Sequence, residues 1–362
     1  MGNAFGEDSR ILLGKLEDTA GTQAYSAPVT ADFDVRARGV EVSDLSVEFD
    51  EDNSKYATGD HTHDENIAGK ETMSIGFYIK AVQGELTGDA GAYTGKFPLS
   101  KYIQSAGHKA VFDATAGTWT FTPSKEYDVV TITESVIDRD AVSGKGIEYR
   151  LAGGMSEMTM AAEGVGKPFK LNFTTKGKVA GVGEIASAAM PELTDSNLIS
   201  TVAFTNVNTD ITVEVLTDAG APTAVTHSFC SDSFTFSPTP TITEQQCQSD
   251  NSGILYNYIT SRSPVITINP LLETLTEYNF WTSLTAMTKY KITITKYTDA
   301  LKTVKMMELI MPNCQQNSAS PAAGDGKISN EMTFRAMRNL QGATQELKEN
   351  DYTLVIYGKD ID

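Results

Sequence analysis

The densest run of chemistry-bearing side chains is Asp60-His61-Thr62-His63-Asp64-Glu65. Two histidines at i and i+2 beside carboxylates suit zinc, because imidazole nitrogen and carboxylate oxygen are good ligands. The metallo-hydrolase spacing His-x-His-x-Asp-His is not met, since Glu65 and Asn66 stand where Asp and His are required. The chain has only two other histidines, His108 and His227, so a third imidazole is scarce. A calcium loop starting at Asp50 also fails: Lys55 occupies the glycine position and His61 that of the bidentate Glu. Asp50, Glu51, Asp52, Asp60, Asp64 and Glu65 face a single Lys55. Such like charges repel one another, so residues 48–66 read as a long solvated loop unless a partner orders them.

Gly164-Val165-Gly166-Lys167 has the outline of a phosphate loop, but Ala161 takes the first glycine position and Pro168 that of the magnesium-binding Ser/Thr. Residues 181–186 (Gly181, Gly183 and Ala186) fit G-x-G-x-x-A, which requires a buried strand before it and a helix after it. Pro191 and the Gly/Ala-rich composition of 177–197 oppose both and predict a connector. No nucleophile elbow, CxxC or Cys/His pair occurs. Cys230, Cys247 and Cys314 are an odd count and too few for a disulfide scaffold. A Cys230–Cys247 bridge stays open beside the favoured reading of reduced thiols. Trp119, Trp281 and the 14 tyrosines are scattered, as core and interface residues are. Nothing here nominates a catalytic residue, and no cofactor or metal is expected.

The elements that position these residues follow from composition and period. The 362 residues carry 29 Lys plus Arg against 47 Asp plus Glu, a formal charge of −18. That opposes a grip on nucleic acid, which depends on cations displacing phosphate counterions, and equally an anionic membrane surface. Hydrophobic residues at 40% suffice for a core. No apolar run spans a bilayer. The first residues lack the basic and apolar regions of a secretion signal, and Gly6 breaks the myristoylation pattern, so a cytosolic origin is expected.

Threonine occurs 43 times, often alternating with Val, Ile or Phe, as at 131–133, 266–268 and 292–295. This β-branched residue suits the wet face of a pleated strand, so the class is mainly β and antiparallel. Residues 1–34 read as an N-terminal arm, 35–176 as a first β domain, 177–197 as the connector, 198–338 as a second β domain, and 339–362 as a last strand and tail. In 71–82, Met73, Ile75, Phe77 and Ile79 alternate with Thr72, Ser74, Gly76, Tyr78 and Lys80. Phe97-Pro98-Leu99 begins a short helix closed by Gly107. Asn269-Pro270 reads as an N-cap and first turn of a second helix through 283. A hairpin then turns at Asp299-Ala300, and 313–326 reads as a polar loop before a final strand. Both halves thus run strand, Pro-Leu helix, hairpin, glycine-rich loop and final strand, an internal duplication with slight sequence identity.

Read in order, several stretches resemble one family. These are Glu71 to Lys80 after an acidic loop; 118–124 with its Pro123-Ser124 approach to a strand; Tyr149 to Met155 with Gly153-Gly154; Gly166 to Phe173; Ser261 to Val265; and Ile310-Met311-Pro312. Over residues 35–360 their pattern and order resemble the major tail, or tail tube, proteins of long-tailed bacteriophages. The resemblance implies two tail-tube-like β-sandwich/barrel halves. It also implies six-membered rings whose β-hairpins merge into a barrel, stacked into a tube through which DNA leaves the capsid without specific binding. Expected partners are further copies and other tail proteins (tape measure, tail tip, terminator), with assembly in the host cytoplasm and a place in the virion. Lumen-facing candidates are the polar sides of the alternating strands: Thr72, Ser74, Tyr78, Lys80, Thr131, Thr133, Ser135, Thr267, Thr293 and Thr295. Lys80, Lys289 and Lys291 fall on or near that face and interrupt an otherwise anionic or neutral lining. Asp50, Glu51, Asp52, Asp60, His61, His63, Asp64 and Glu65, with the arm and the tail, are candidates for ring-to-ring contact. Two other readings stay open: a monomeric β-sandwich binding or adhesion module, and a metal enzyme centred on His61 and His63.

Overall fold

Alternation writes most of this architecture. Met73, Ile75, Phe77 and Ile79 are buried on one face of their strand, while Thr72, Gly76, Tyr78 and Lys80 are half-buried on the other. The computed structural model describes residues 10–17, 23–28, 38–50, 67–137, 145–186, 203–246, 254–271, 278–324, 327–342, 344 and 349–361. In chain order come β1 (Arg10–Glu17), β2 (Arg38–Asp50), β3 (Ile67–Lys80), β4 (Glu85–Thr87), β5 (Thr94–Lys96), α1 (Ser100–Ser105), β6 (His108–Asp113), β7 (Thr118–Pro123) and β8 (Val129–Ile137). The long hairpin β9 (Lys145–Ala162) and β10 (Lys170–Ala186) follows. Next are β11 (Thr209–Leu216), β12 (Pro222–Phe229), β13 (Ser231–Ser237), β14 (Pro240–Gln246), β15 (Ile254–Arg262) and β16 (Val265–Pro270). The chain then forms α2 (Phe280–Thr285), β17 (Lys289–Tyr297), β18 (Lys305–Gly324), β19 (Lys327–Ala336), β20 (Thr353–Tyr357) and β21 (Lys359–Asp360). The protein is mainly β, in antiparallel sheets, with only β21 and β4 paired in parallel among the described strands. No closed barrel forms among the described residues.

Two units share one strand order. The first runs β1-β8-β9-β10-β3-β2 and the second β11-β17-β18-β19-β16-β13. In each, an opening strand leads to a short helix, and a three-strand meander returns to pair with that strand. The registers repeat as well. A bulge separates Val130↔Gly154 from Ile132↔Leu151 in β8–β9, and another separates Tyr290↔Cys314 from Ile292↔Met311 in β17–β18. Adding 160 to each number of the first set gives the second. The same backbone irregularity is therefore present twice.

The units meet where β13 pairs with the end of β9, placing Phe234, Thr235 and Phe236 opposite Ala162, Ala161 and Met160. Phe169 packs edge-on against Phe204 and Phe234, with ring centroids 6.2 and 5.2 Å apart, and all three rings are buried. Such aromatic pairs add to the large apolar area they remove from water. A second tie comes from β20, which lies between β18 of one unit and β7 of the other. Tyr352, Leu354 and Ile356 bury this segment in the shared core, with Tyr352 4.9 Å from the Phe236 ring.

Several expectations are corrected. Residues 10–17 are a strand with Leu12 and Leu13 buried, not part of an arm; the expected last strand is present as β20, while Lys359 and Asp360, expected as tail, pair with β4. The expected connector starts inside β10, which runs unbroken to Ala186; residues 187–197 lie outside the described residues. Gly177 is there for packing: a Cβ would sit 2.6 Å from both the Ala152 carbonyl oxygen and Leu151 Cδ2. Asn269 and Pro270 end β16, because Ile266 and Ile268 are held between β13 and β19. The second helix is α2, capped by Asn279, whose Oδ1 accepts the Thr282 N–H at 3.0 Å. The polar stretch from Asn313 continues β18 against β19 as far as Gly324. The first helix meets expectation: Gly107, at φ +87°, closes α1, its N–H donating to the Gln104 carbonyl at 2.9 Å.

Phe173 stacks on Phe77 at 5.4 Å and leans on Tyr102 at 5.7 Å in the first unit's core. Phe173→Ala is expected to lower unfolding free energy by about 3–5 kcal/mol. Trp281→Ala, at a side chain 65% exposed, should stay within about 0.5 kcal/mol. Equilibrium urea unfolding of both variants checks this, and equal losses would contradict the assigned core.

Candidate assembly surface

Antiparallel partners directly opposite each other point to the same face of a sheet. Following register across β3, β10, β9, β13, β16, β19 and β18 gives one row: Lys80, Lys170, Ala161, Thr235, Thr267, Thr333 and Ser318. Every member is half-buried or exposed. The row one residue along is Ile79, Leu171, Met160, Phe236, Ile266, Phe334 and Gln316, and every member is buried. One continuous sheet therefore crosses both units with a core face and a wet face, and the wet face passes over the β13–β9 seam unbroken.

Hydroxyls are frequent on that wet face, and two of its lysines are paired with carboxylates. Thr267 and Thr333 hydrogen-bond through their hydroxyls at 3.2 Å. A second row sets Tyr78, Asn172 and Thr159 side by side. Lys170 bridges to Glu163 at 2.9 Å and lies 5.4 Å from the Tyr78 ring centre, and Lys176 pairs with Glu157 at 3.0 Å. Pairs this exposed contribute little stability, up to about 1 kcal/mol. Their effect is on the surface potential, because the two ammonium groups are covered by carboxylates of the same chain.

The expected lining residues divide. Thr72, Ser74, Tyr78 and Lys80 share the polar side of β3, although Ser74 is buried and Thr72 hydrogen-bonds Ser46 at 2.9 Å. Thr267 sits in the row itself. Thr131, Thr133 and Ser135 are buried within the single chain, with the Tyr25 hydroxyl 2.8 Å from Thr133 Oγ1, so they line no open face there. Thr293 is half-buried between Thr212 and Ile310, and Thr295 is buried with its hydroxyl 3.5 Å from Glu308 Oε1. Lys289 and Lys291 pair with Asp218 at 3.6 Å and Glu214 at 2.9 Å, both from the same chain. Asp50 ends β2, while Glu51, Asp52, Asp60, His61, His63, Asp64 and Glu65 lie outside the described residues. Lys170, Asn172, Thr174, Thr159, Thr235 and Thr333 were not anticipated. Their alternation with Leu171, Phe173, Phe234, Phe236, Met332 and Phe334 is visible in the sequence, but only register puts them in line.

One buried polar cluster lies at the junction between units. His108 is fully buried: Nδ1 donates to the Ile103 carbonyl at 2.7 Å, and Nε2 accepts from the Tyr352 hydroxyl at 2.5 Å. Burial lowers its pKa from 6.5 to about 4. Nearby, Arg262 donates to the carbonyls of Gly107 and Ser124 at 2.9 and 3.1 Å. It borders an open cleft of about 640 Å³ shared with Arg335, Arg338, Glu349 and Asp351. Burial raises the Asp351 carboxyl above its ordinary range and pushes the Cys314 thiol up, away from the reactive thiolate. Cys230 is a free, exposed thiol.

Compared with protein-family models and with curated proteins, the chain matches none. Among the described residues, no three His, Cys, Asp or Glu side chains converge as a metal site. No helix among them is long and apolar enough to cross a membrane.

His108 gives the junction a pH dependence. The unfolded chain binds a proton at this residue below pH 6.5 while the folded chain stays neutral to about pH 4. Stability contributed by the neutral ring is therefore whole above pH 6.5 and falls as pH drops towards 4, by up to about 3 kcal/mol. Unfolding midpoints measured across that window should fall less steeply in His108→Gln than in the parent. Identical slopes would show that the ring titrates normally in the fold.

Proposed function

We propose that this chain is a structural building block of a phage tail tube. Copies join into rings, the wet face described above lines the bore, and stacked rings form a conduit for DNA. One observation carries this reading: the unbroken polar row from Lys80 to Ser318, backed along its whole length by core. A face rich in hydroxyls, with Lys170 and Lys176 held in ion pairs, keeps water and offers phosphates no bare row of cations, so DNA slides without specific binding. Sheet edges left open in a single chain are a template for further copies. The role is structural, not catalytic. Its setting is the virion tail, assembled in the host cytoplasm beside tape measure, tip and terminator proteins. Residues 50–66, too acidic to build their own core, act in this reading as contacts ordered between rings.

Electron microscopy of concentrated purified protein tests the reading. Uniform hollow rods or rings support it; monodisperse monomers overturn it and favour the binding-module alternative. Replacing residues 51–66 with a two-residue Asn-Gly turn, which can join the opposed Asp50 and Ile67 of the β2–β3 hairpin, is expected to leave the circular dichroism spectrum and unfolding midpoint unchanged while abolishing rods. Normal rods from that variant would remove the proposed role of the loop.

A further inference from the structure

The seam between the two units is a finished example of the joint that a ring requires. We propose that the joint between chains copies it: the outer edge of β2 in one copy pairs with the far end of β18 in the next, and a ring of six units closes from three chains. This rests on the ring-forming reading above.

The shared strand order makes β2 the counterpart of β13, and β18 the counterpart of β9. β13 is paired on both edges, with β16 on one and β9 on the other. β2 is paired with β3 on one edge, and among the described residues its other edge meets no strand. β9 has β10 along one edge; on the other, β8 covers 146–154 and β13 covers 160–162. β18 has β20 and β19 along one edge and β17 on the other only as far as Gln315. Beyond that point, 316–324 meets no strand on the β17 side among the described residues. Each open edge is thus the counterpart of an edge that the internal seam has already filled.

The two vacancies differ from each other and lie at opposite ends of the run β2-β3-β10-β9-β13-β16-β19-β18. A joint between them is head-to-tail, the kind that closes into a ring when the rotation allows. Four strands come from each unit, so the internal seam and the external joint are related by the same step. With two units per chain, a six-unit ring contains three chains, not the six that the resemblance implies. The polar row then continues past Ser318 into the next copy, and the wet face becomes a closed circle. Exposed Ser318 and Ser320 at the far end of β18 bring no charge that must be desolvated there.

The test uses the full chain with Cys230→Ser and Cys247→Ser, leaving buried Cys314 in place. Glu41→Cys and Ser320→Cys are combined in one chain, rings are allowed to form, and the thiols are oxidised. Non-reducing gels should show a ladder that stops at three chains, and native mass spectrometry of the parent rings should weigh three. The control pair Ala161→Cys and Thr235→Cys, opposite each other at the internal seam, should close within one chain and give no ladder. As a readout independent of the substitutions, hydrogen exchange at amides 38–45 and 316–324 should slow at least about tenfold when parent rings form. Rings that weigh six chains overturn the three-chain closure while leaving the ring reading standing. Three-chain rings without exchange protection in those segments overturn the β2–β18 joint. Absence of any ring overturns both this inference and the reading beneath it.

Discussion

A strand exposes hydrogen-bonding groups along both edges, and leaving those groups unpaired away from water is costly. This protein meets that constraint by drawing strands from distant parts of the chain. β1 covers β8, β13 covers the end of β9, and β20 fills the gap between β7 and β18. Each of these pairings joins segments far apart in sequence, so the topology is dominated by long-range closure. Among the described residues, α1 and α2 are short and pack on the sheets as accessories.

The same constraint explains why the units do not behave as beads on a string. Their cores are continuous through Phe169, Phe204 and Phe234 on one side and through Phe236, Tyr352 and His108 on the other. A buried imidazole bonded at both nitrogens fixes the approach of β20 to α1, a directional contact that apolar packing alone would not supply. Held in this way, the strands of the two units stay in register, and the wet face extends across a distance neither unit spans alone.

Much of this was legible in the residues. Period-two alternation located β3, β8, β16 and β17, and the Asp299 turn located the β17–β18 hairpin. Three failures have physical causes. Gly177 to Ala186 looked like a linker because glycine weakens strand propensity, yet Gly177 is required by the close approach of Leu151 and Ala152. Asn269-Pro270 carries a sound helix-start signal, overridden by the pairing of Ile266 and Ile268 on both sides. Thr131, Thr133 and Ser135 have the alternation of a wet face but are buried: Tyr25 meets Thr133 and Glu17 meets Thr131, partners more than a hundred positions away that no local pattern announces. The row from Lys80 to Ser318 was half visible: its residue types could be read from the chain, its alignment only from register.

The position of β20 also has a temporal meaning. This strand is translated after both units, yet it completes the hydrogen bonding of β18 and of β7. While the ribosome is still making it, the nascent polypeptide holds two gaps in its sheet and an imidazole with no hydroxyl to meet. Maturation of the fold therefore waits for late translation, when β20 closes both gaps and the Tyr352 hydroxyl reaches His108.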